Sequence, residues 1–236
     1  MPSALDQLRR HNFQTPIRPE DTAKLEMGDV VYLTGTLFTG REGFYKRHLD
    51  EGVPLPEGVD ISQFNVNFHS SPAVEEVRPP DPESNFPGEY RISATTGTAS
   101  FRFAKWMPKL LSETGVKCIV GKSGLSSEVY KAHFVPNGAT YLLLMGYGLG
   151  AMYGQAIKRV RQVVWREELG LAQAMWVLDI ENFGPLIVDC DKEGNSLFEK
   201  LNKQVDEKLA KVFEGLPEPT LKRYGELTRF EDEVLS

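Results

Sequence analysis

The sequence predicts an α/β protein, and two observations lead there. Strand-like runs rich in Val, Ile, Leu, Tyr and Thr alternate with segments of helical periodicity along most of the chain. Several of those runs also end in Gly-, Thr- or Ser-rich turns that open a helical segment, as expected of a sheet with flanking helices. With 236 residues and 41% hydrophobic content, the chain can bury the core of one large domain with short arms.

Residues 1–24 are polar and carry Pro16 and Pro19, so they read as a surface arm ahead of a domain spanning 25–214, with 215–236 as a tail. VVYLTGTL after Gly28-Asp29 fits a strand, and TGREGFYKRHLDEG reads as a Gly turn into a short basic helix. FNVNFHSS fits a second strand. The stretch from Ser71 to Tyr90 is dense in Pro and acidic residues and reads as a long loop. RISATTGTAS ends a third strand in a hydroxyl-rich turn, RFAKWMPKLLSETG is an amphipathic helix, and VKCIVGKSG is a buried strand opening into a Gly turn. A helix in SSEVYKAHFVPNG, a strand in ATYLLLM and a helix in GAMYGQAIKRV follow. The segments RQVVWREELG, AMWVLDIEN and PLIVDCDKEG are strand-like, and NSLFEKLNKQVDEKLAKVFEGL has the apolar spacing of an amphipathic helix.

The net charge of −6 argues against a nucleic-acid partner, because such affinity comes from clustered Lys and Arg and the basic residues here are scattered. Cys118 and Cys190 both lie in apolar runs, which predicts buried thiols and a reducing, cytoplasmic setting. Two thiols are too few to hold an iron–sulfur cluster. No apolar run approaches membrane-spanning length, and MPSALDQLRRHN lacks the apolar core of an export signal, so neither membrane insertion nor export is expected.

Two Gly-rich turns invite familiar motifs. Gly115 to Gly121-Lys122-Ser123 is one residue too long for a phosphate-binding P-loop, and the intervening VKCIV is strand-like. Gly146, Gly148, Gly150 and Ala151 satisfy a dinucleotide-binding spacing, but past the middle of the chain, where close helix–sheet packing explains glycines more simply. His11, His48, His69 and His133 have no metal-ligand spacing and read as surface or packing residues, so no metal site is expected in this chain. Ser123 and Ser126 lack a nucleophile elbow. The cationic turns remain: Arg41 in LFTGRE, Arg102 in TGTASFR and Lys122 in VGKSG each follow a strand. Cations converging at strand ends beside hydroxyls and free backbone N–H groups suit a small di-anion.

The same turns resemble those of the β subunit of two-subunit class I fumarases and L-tartrate dehydratases, equivalent to the C-terminal domain of the single-chain forms. TPIRPEDTAKLEMGDVVYLTGTLFTGRE is similar to that family's opening, and the likeness continues through HSSPAV, GVKCIVGKSGLSSEV, EELGLAQAMWVLDIENFGP and VDCDKEGNSLF, covering roughly residues 14–200. The resemblance implies a swivelling β/β/α domain with a mixed sheet and flanking helices. It implies reversible addition or removal of water at a small dicarboxylate. It also implies a 4Fe-4S cluster bound by an iron–sulfur α subunit and not by this chain, in a hetero-oligomer such as α2β2. Arg41 and Lys122 fall on the family's substrate-binding Arg and Lys. The family's G-P-T-T-x-G-R-M signature aligns without a gap onto Thr96–Phe103, which puts the implied base at Thr98 and a second Arg at Arg102. Thr98 and Lys122 are then the catalytic candidates, and Arg41, Arg102, Lys122, Ala99 and Ser100 the substrate-binding ones. A second register, with Thr95-Thr96 on the Thr pair, requires an insertion.

Three departures from the family pattern stand out. Ala99 replaces the second Thr, Phe101 replaces the Gly, and R-D-x-x-H in the first turn becomes Arg41-Glu42-Gly43-Phe44-Tyr45. These exchanges favour a substrate with an apolar substituent over fumarate. A non-catalytic dicarboxylate-binding or regulatory paralogue is the alternative.

Overall fold

The computed structural model describes residues 8–215 except 82, 85, 87 and 147. In chain order the elements are β1 (Arg10–Gln14), α1 (Pro19–Thr22), β2 (Val30–Thr39), α2 (Glu42–Tyr45), β3 (Val66–Phe68), β4 (Ser70–Arg78), β5 (Glu89–Gly97), α3 (Met107–Thr114), β6 (Cys118–Gly121), α4 (Ser127–Val129), β7 (Thr140–Leu144), α5 (Gly150–Ala156), β8 (Ile157–Val164), α6 (Arg166–Leu169), β9 (Met175–Cys190) and α7 (Leu197–Phe213). Residues up to Lys200 form one compact unit, and the rest of α7 belongs to a second.

The fold is mixed α/β around a closed sheet. β2, β3, β6 and β7 are parallel neighbours, and β9 pairs antiparallel with both β7 and β2, which closes the ring. Closure depends on the length of β2 and β9, because each offers one stretch to a ring neighbour and another to an outlying strand. β1 lies parallel to the start of β2, and β8 antiparallel to the first half of β9. β4 and β5 form a separate antiparallel hairpin.

Strand periodicity sends alternate side chains to two faces. Val66, Phe68, Cys118, Val120, Leu142, Trp176 and Leu178 belong to one buried cluster, whereas Ile119, Tyr141 and Val177 join a second with Phe44, Tyr45, Trp106 and Leu110 from the helical segments. Burying each large apolar side chain contributes about 1.5–3 kcal/mol. α3 starts with Pro108 in its first turn and ends at Gly115, whose φ of 75° is the left-handed conformation that glycine adopts without strain.

Three expectations need correction. Part of the supposed N-terminal arm, Arg10–Gln14, is an edge strand of the sheet. The supposed long loop contains β4, whose residues 70–78 pair with β5. The helix expected over residues 150–160 stops at Ala156, and the chain continues as β8. Apart from Gly215, the expected tail lies outside the described residues.

Candidate active site

The site is built where β2, β3, β5 and β6 end. At the first turn, Gly40 follows β2, and a Cβ there would lie 2.5 Å from Asn67 Nδ2 and 3.0 Å from the Tyr45 hydroxyl, so only glycine fits. Arg41 then opens α2 in an extended conformation. Its Nη1 donates to the Ala172 carbonyl at 3.0 Å, while its Nε is buried without a hydrogen-bond partner among the described residues.

The second turn leaves β5 at Gly97. The Thr98 N–H donates to the His69 carbonyl at 2.6 Å, and the Ser100 N–H donates to the Lys122 carbonyl at 2.9 Å. Ala99 thereby forms a parallel bridge with Lys122, which joins the second turn to the third. Ser123 and Gly124 complete that third turn at φ of 77° and 63°.

The structure therefore brings Thr98, Ala99 and Ser100 alongside Lys122. Lys122 is exposed and lines a cleft of about 510 Å³ with Thr96, Gly97, Leu144 and Gly150. Arg102 lies in the helical turn Ser100–Trp106, exposed, on the side of the first turn. Glu42 reports this: its carboxyl is held below the ordinary range by Lys46 first, with smaller contributions from Arg102 and Lys105. Arg41 is tethered instead toward the segment before β9, where Gln173 also accepts from the Gly43 N–H. Phe101 is 65% exposed beside Arg102. Ser100 is turned inward and fully buried, so this expected substrate-binding residue presents no exposed surface at the turn.

Beneath the turns is a polar group that sequence reasoning missed. Asn67 and His69 lie two residues apart at the end of β3 and enter the aromatic cluster of Tyr45, Phe103 and Trp106. Tyr45 donates to Asn67 Oδ1 at 2.5 Å, His69 Nδ1 is 2.7 Å from Ser100 Oγ, and Tyr141 donates to Ser100 Oγ at 2.5 Å. Burial lowers the His69 pKa to about 3, so the imidazole is neutral at physiological pH. Asn67 Nδ2 and His69 Nε2 are buried without hydrogen-bond partners among the described residues. The alternation of Asn67 and His69 in an otherwise apolar strand was the available sequence signal.

The motifs set aside have structural explanations. A Cβ on Gly150 would come 3.0 Å from Thr96 Cγ2, and one on Gly154 would come 2.9 Å from Ala94 Cα, so these glycines let α5 approach β5. Cys118 and Cys190 are buried, and burial pushes both thiols up. Among the described residues, no group of three or more His, Cys, Asp or Glu is arranged to hold a metal ion. This chain's own residues do not fit an iron–sulfur cluster.

The family model of the fumarase C-terminus matches residues 2–201. A Methanocaldococcus jannaschii protein provisionally named L(+)-tartrate dehydratase subunit beta is 33% identical over 196 residues, covering 80% of this chain and 92% of that one. The L(+)-tartrate dehydratase subunit beta of Escherichia coli K12 is 29% identical, covering 86% and 94%. A Geobacillus stearothermophilus protein provisionally named fumarate hydratase class I is 29% identical, with 86% of this chain matching 36% of that longer protein. The chain belongs to the class I fumarase and tartrate dehydratase family, as a β-type subunit matching the fumarase C-terminus.

Proposed function

We propose that this chain is the β subunit of a hydro-lyase that reversibly adds or removes water at a small dicarboxylate, and that its fold works as a swivelling β/β/α domain. The observation carrying the reading is the stitching of the Thr98–Ser100 turn to Lys122, with Arg102 on the side of the Arg41 turn. Arg41, Arg102 and Lys122 are the cations for the substrate's two carboxylates, and charge-assisted hydrogen bonds from guanidinium and ammonium fix its orientation. Thr98 moves the proton on the carbon next to the one carrying the hydroxyl. A threonine hydroxyl is too weakly acidic to ionise alone, so this role requires stabilisation of its alkoxide by Lys122 and Arg102.

The 4Fe-4S cluster belongs to a partner α subunit in this reading, in a cytoplasmic hetero-oligomer such as α2β2. The test is to purify the chain alone and together with that partner. The chain alone is expected to be colourless, iron-free and inactive on dicarboxylates, and the co-purified complex brown and active. A stoichiometric cluster on the isolated chain would overturn the assignment.

A further inference from the structure

We propose that His69 is a positioning residue that holds the Thr98–Arg102 turn in register with Lys122 through the Ser100 hydroxyl, an inference that rests on the hydro-lyase reading above. Two backbone hydrogen bonds tie the turn down, from Thr98 N–H to the His69 carbonyl and from Ser100 N–H to the Lys122 carbonyl, at 2.6 and 2.9 Å. Two such ties fix where the turn meets the ends of β3 and β6 but leave it free to rock about the line joining them. The Ser100 side chain supplies the third point, 2.7 Å from His69 Nδ1 and 2.5 Å from the Tyr141 oxygen.

Proton counting orders this link. Tyr141 donates to Ser100 Oγ, and Ser100 has one proton to give. Its acceptors are His69 Nδ1 at 2.7 Å and the Thr98 carbonyl at 3.5 Å, so the shorter bond takes it. The neutral imidazole then carries its own proton on Nε2, which is buried and has no partner among the described residues. The ring itself is held by Phe103, whose ring edge packs at a centroid distance of 4.9 Å, and by Tyr45 at 6.0 Å. Space for the Ser100 hydroxyl is kept by Gly121, because a Cβ there would lie 2.1 Å from Ser100 Oγ.

Packing alone does not account for a histidine here. An apolar side chain would fill the same aromatic pocket without burying an unpaired N–H. What histidine adds is one directional acceptor at Nδ1, spent on the turn that carries Thr98 and Arg102. Catalytic geometry is steep in position, and a displacement of about 1 Å costs on the order of 100-fold in rate.

The experiment compares kcat and KM of the assembled complex for Thr98→Ala, Ser100→Ala, His69→Leu, His69→Asn, Tyr141→Phe and the His69→Leu/Ser100→Ala double variant. His69→Leu and Ser100→Ala are each expected to lower kcat by about 100-fold with KM little changed. His69→Asn, whose amide reaches the former Nδ1 position, is expected to recover most of the loss. The double variant should be no slower than Ser100→Ala, because both changes cut the same link. Should His69→Leu fail to fold, Tyr141→Phe tests the same anchor and should lower kcat less, again with KM little changed. Undiminished kcat in Ser100→Ala, losses that multiply in the double variant, or a rise in KM at constant kcat would each overturn the positioning role. Thr98→Ala separates the two levels: if it stays active, the hydro-lyase reading of the turn fails. If it is inactive while Ser100→Ala is undiminished, only the role of His69 fails.

Discussion

Two buried polar systems in this chain are completed differently. Around Asp189, Tyr130 donates at 2.5 Å, the Phe198 N–H at 2.9 Å and Ser196 at 3.3 Å, while the Leu125 N–H donates to the Tyr130 oxygen. That network joins β9, the start of α7 and the turn after Lys122, and its carboxylate has donors on both oxygens. Around His69, the polar atoms reach the signature turn on one side and, among the described residues, leave His69 Nε2 and Asn67 Nδ2 unpaired on the other. A complete network is what stability alone produces, because an unpaired buried group costs about 1–3 kcal/mol. The incomplete one lies under the cations and the candidate base, where geometry is the premium.

Acid sharpens that contrast most, because the two systems respond to pH with opposite sign. The folded-state pKa of His69 is about 3 against an ordinary 6.5. Below pH 6.5 the unfolded chain therefore gains protons that the folded chain does not, and stability falls as the pH drops through this window, by up to about 5 kcal/mol. Burial raises the Asp189 pKa, against the opposing effect of hydrogen bonds from Tyr130, the Phe198 N–H and Ser196. Its contribution is fully present below the ordinary aspartate value of about 3.9 and is lost as the pH rises through the raised one. Denaturant unfolding of wild type, His69→Asn and Asp189→Asn across this range is the measurement. His69→Asn should flatten the loss on acidification and Asp189→Asn the loss on raising the pH. Parallel curves for all three proteins would remove the distinction.

Next in size is the cationic rim. Arg41→Ala or Lys122→Ala is expected to weaken dicarboxylate binding by about 2–5 kcal/mol, the range for truncating one partner of a desolvated charge pair, with little change in unfolding midpoint. Titration of the assembled complex with substrate measures it, and unchanged affinity in both variants would detach these turns from the pocket. The smallest effect concerns Ala99 and the exposed Phe101. Relative to wild type, Ala99→Thr with Phe101→Gly should move preference toward fumarate and away from mesaconate by about 1–3 kcal/mol in kcat/KM, since apolar pocket changes of a carbon or two discriminate by no more than that. A wild type that already prefers fumarate, together with no gain in the double variant, would contradict the assignment of these positions.

The sequence was most legible where burial and periodicity agree. β2, β6 and β7 carry β-branched or apolar runs, and the Gly turns after β2 and β6 were readable because Gly40 and Gly121 leave no room for a Cβ. It was least legible at edges. Arg10–Gln14 has an exposed, polar pattern because an edge strand needs only backbone pairing, and in the two-stranded hairpin Glu75 and Glu76 are ion-paired to Arg91 and Arg166 instead of packed in a core. The candidate cations and Thr98 were proposed from the family resemblance and, for the cations, from their place after strands. The contact between His69 and Ser100 spans 31 residues of sequence and leaves no local spacing to read.

The central claim is that this chain supplies the proton-transfer group of a site completed by a second subunit, and Thr98→Ala tests it most directly. The variant should assemble with the proposed iron–sulfur partner, bind dicarboxylate with affinity close to wild type, and show no measurable turnover. Turnover close to wild type in an assembled Thr98→Ala complex would contradict the account.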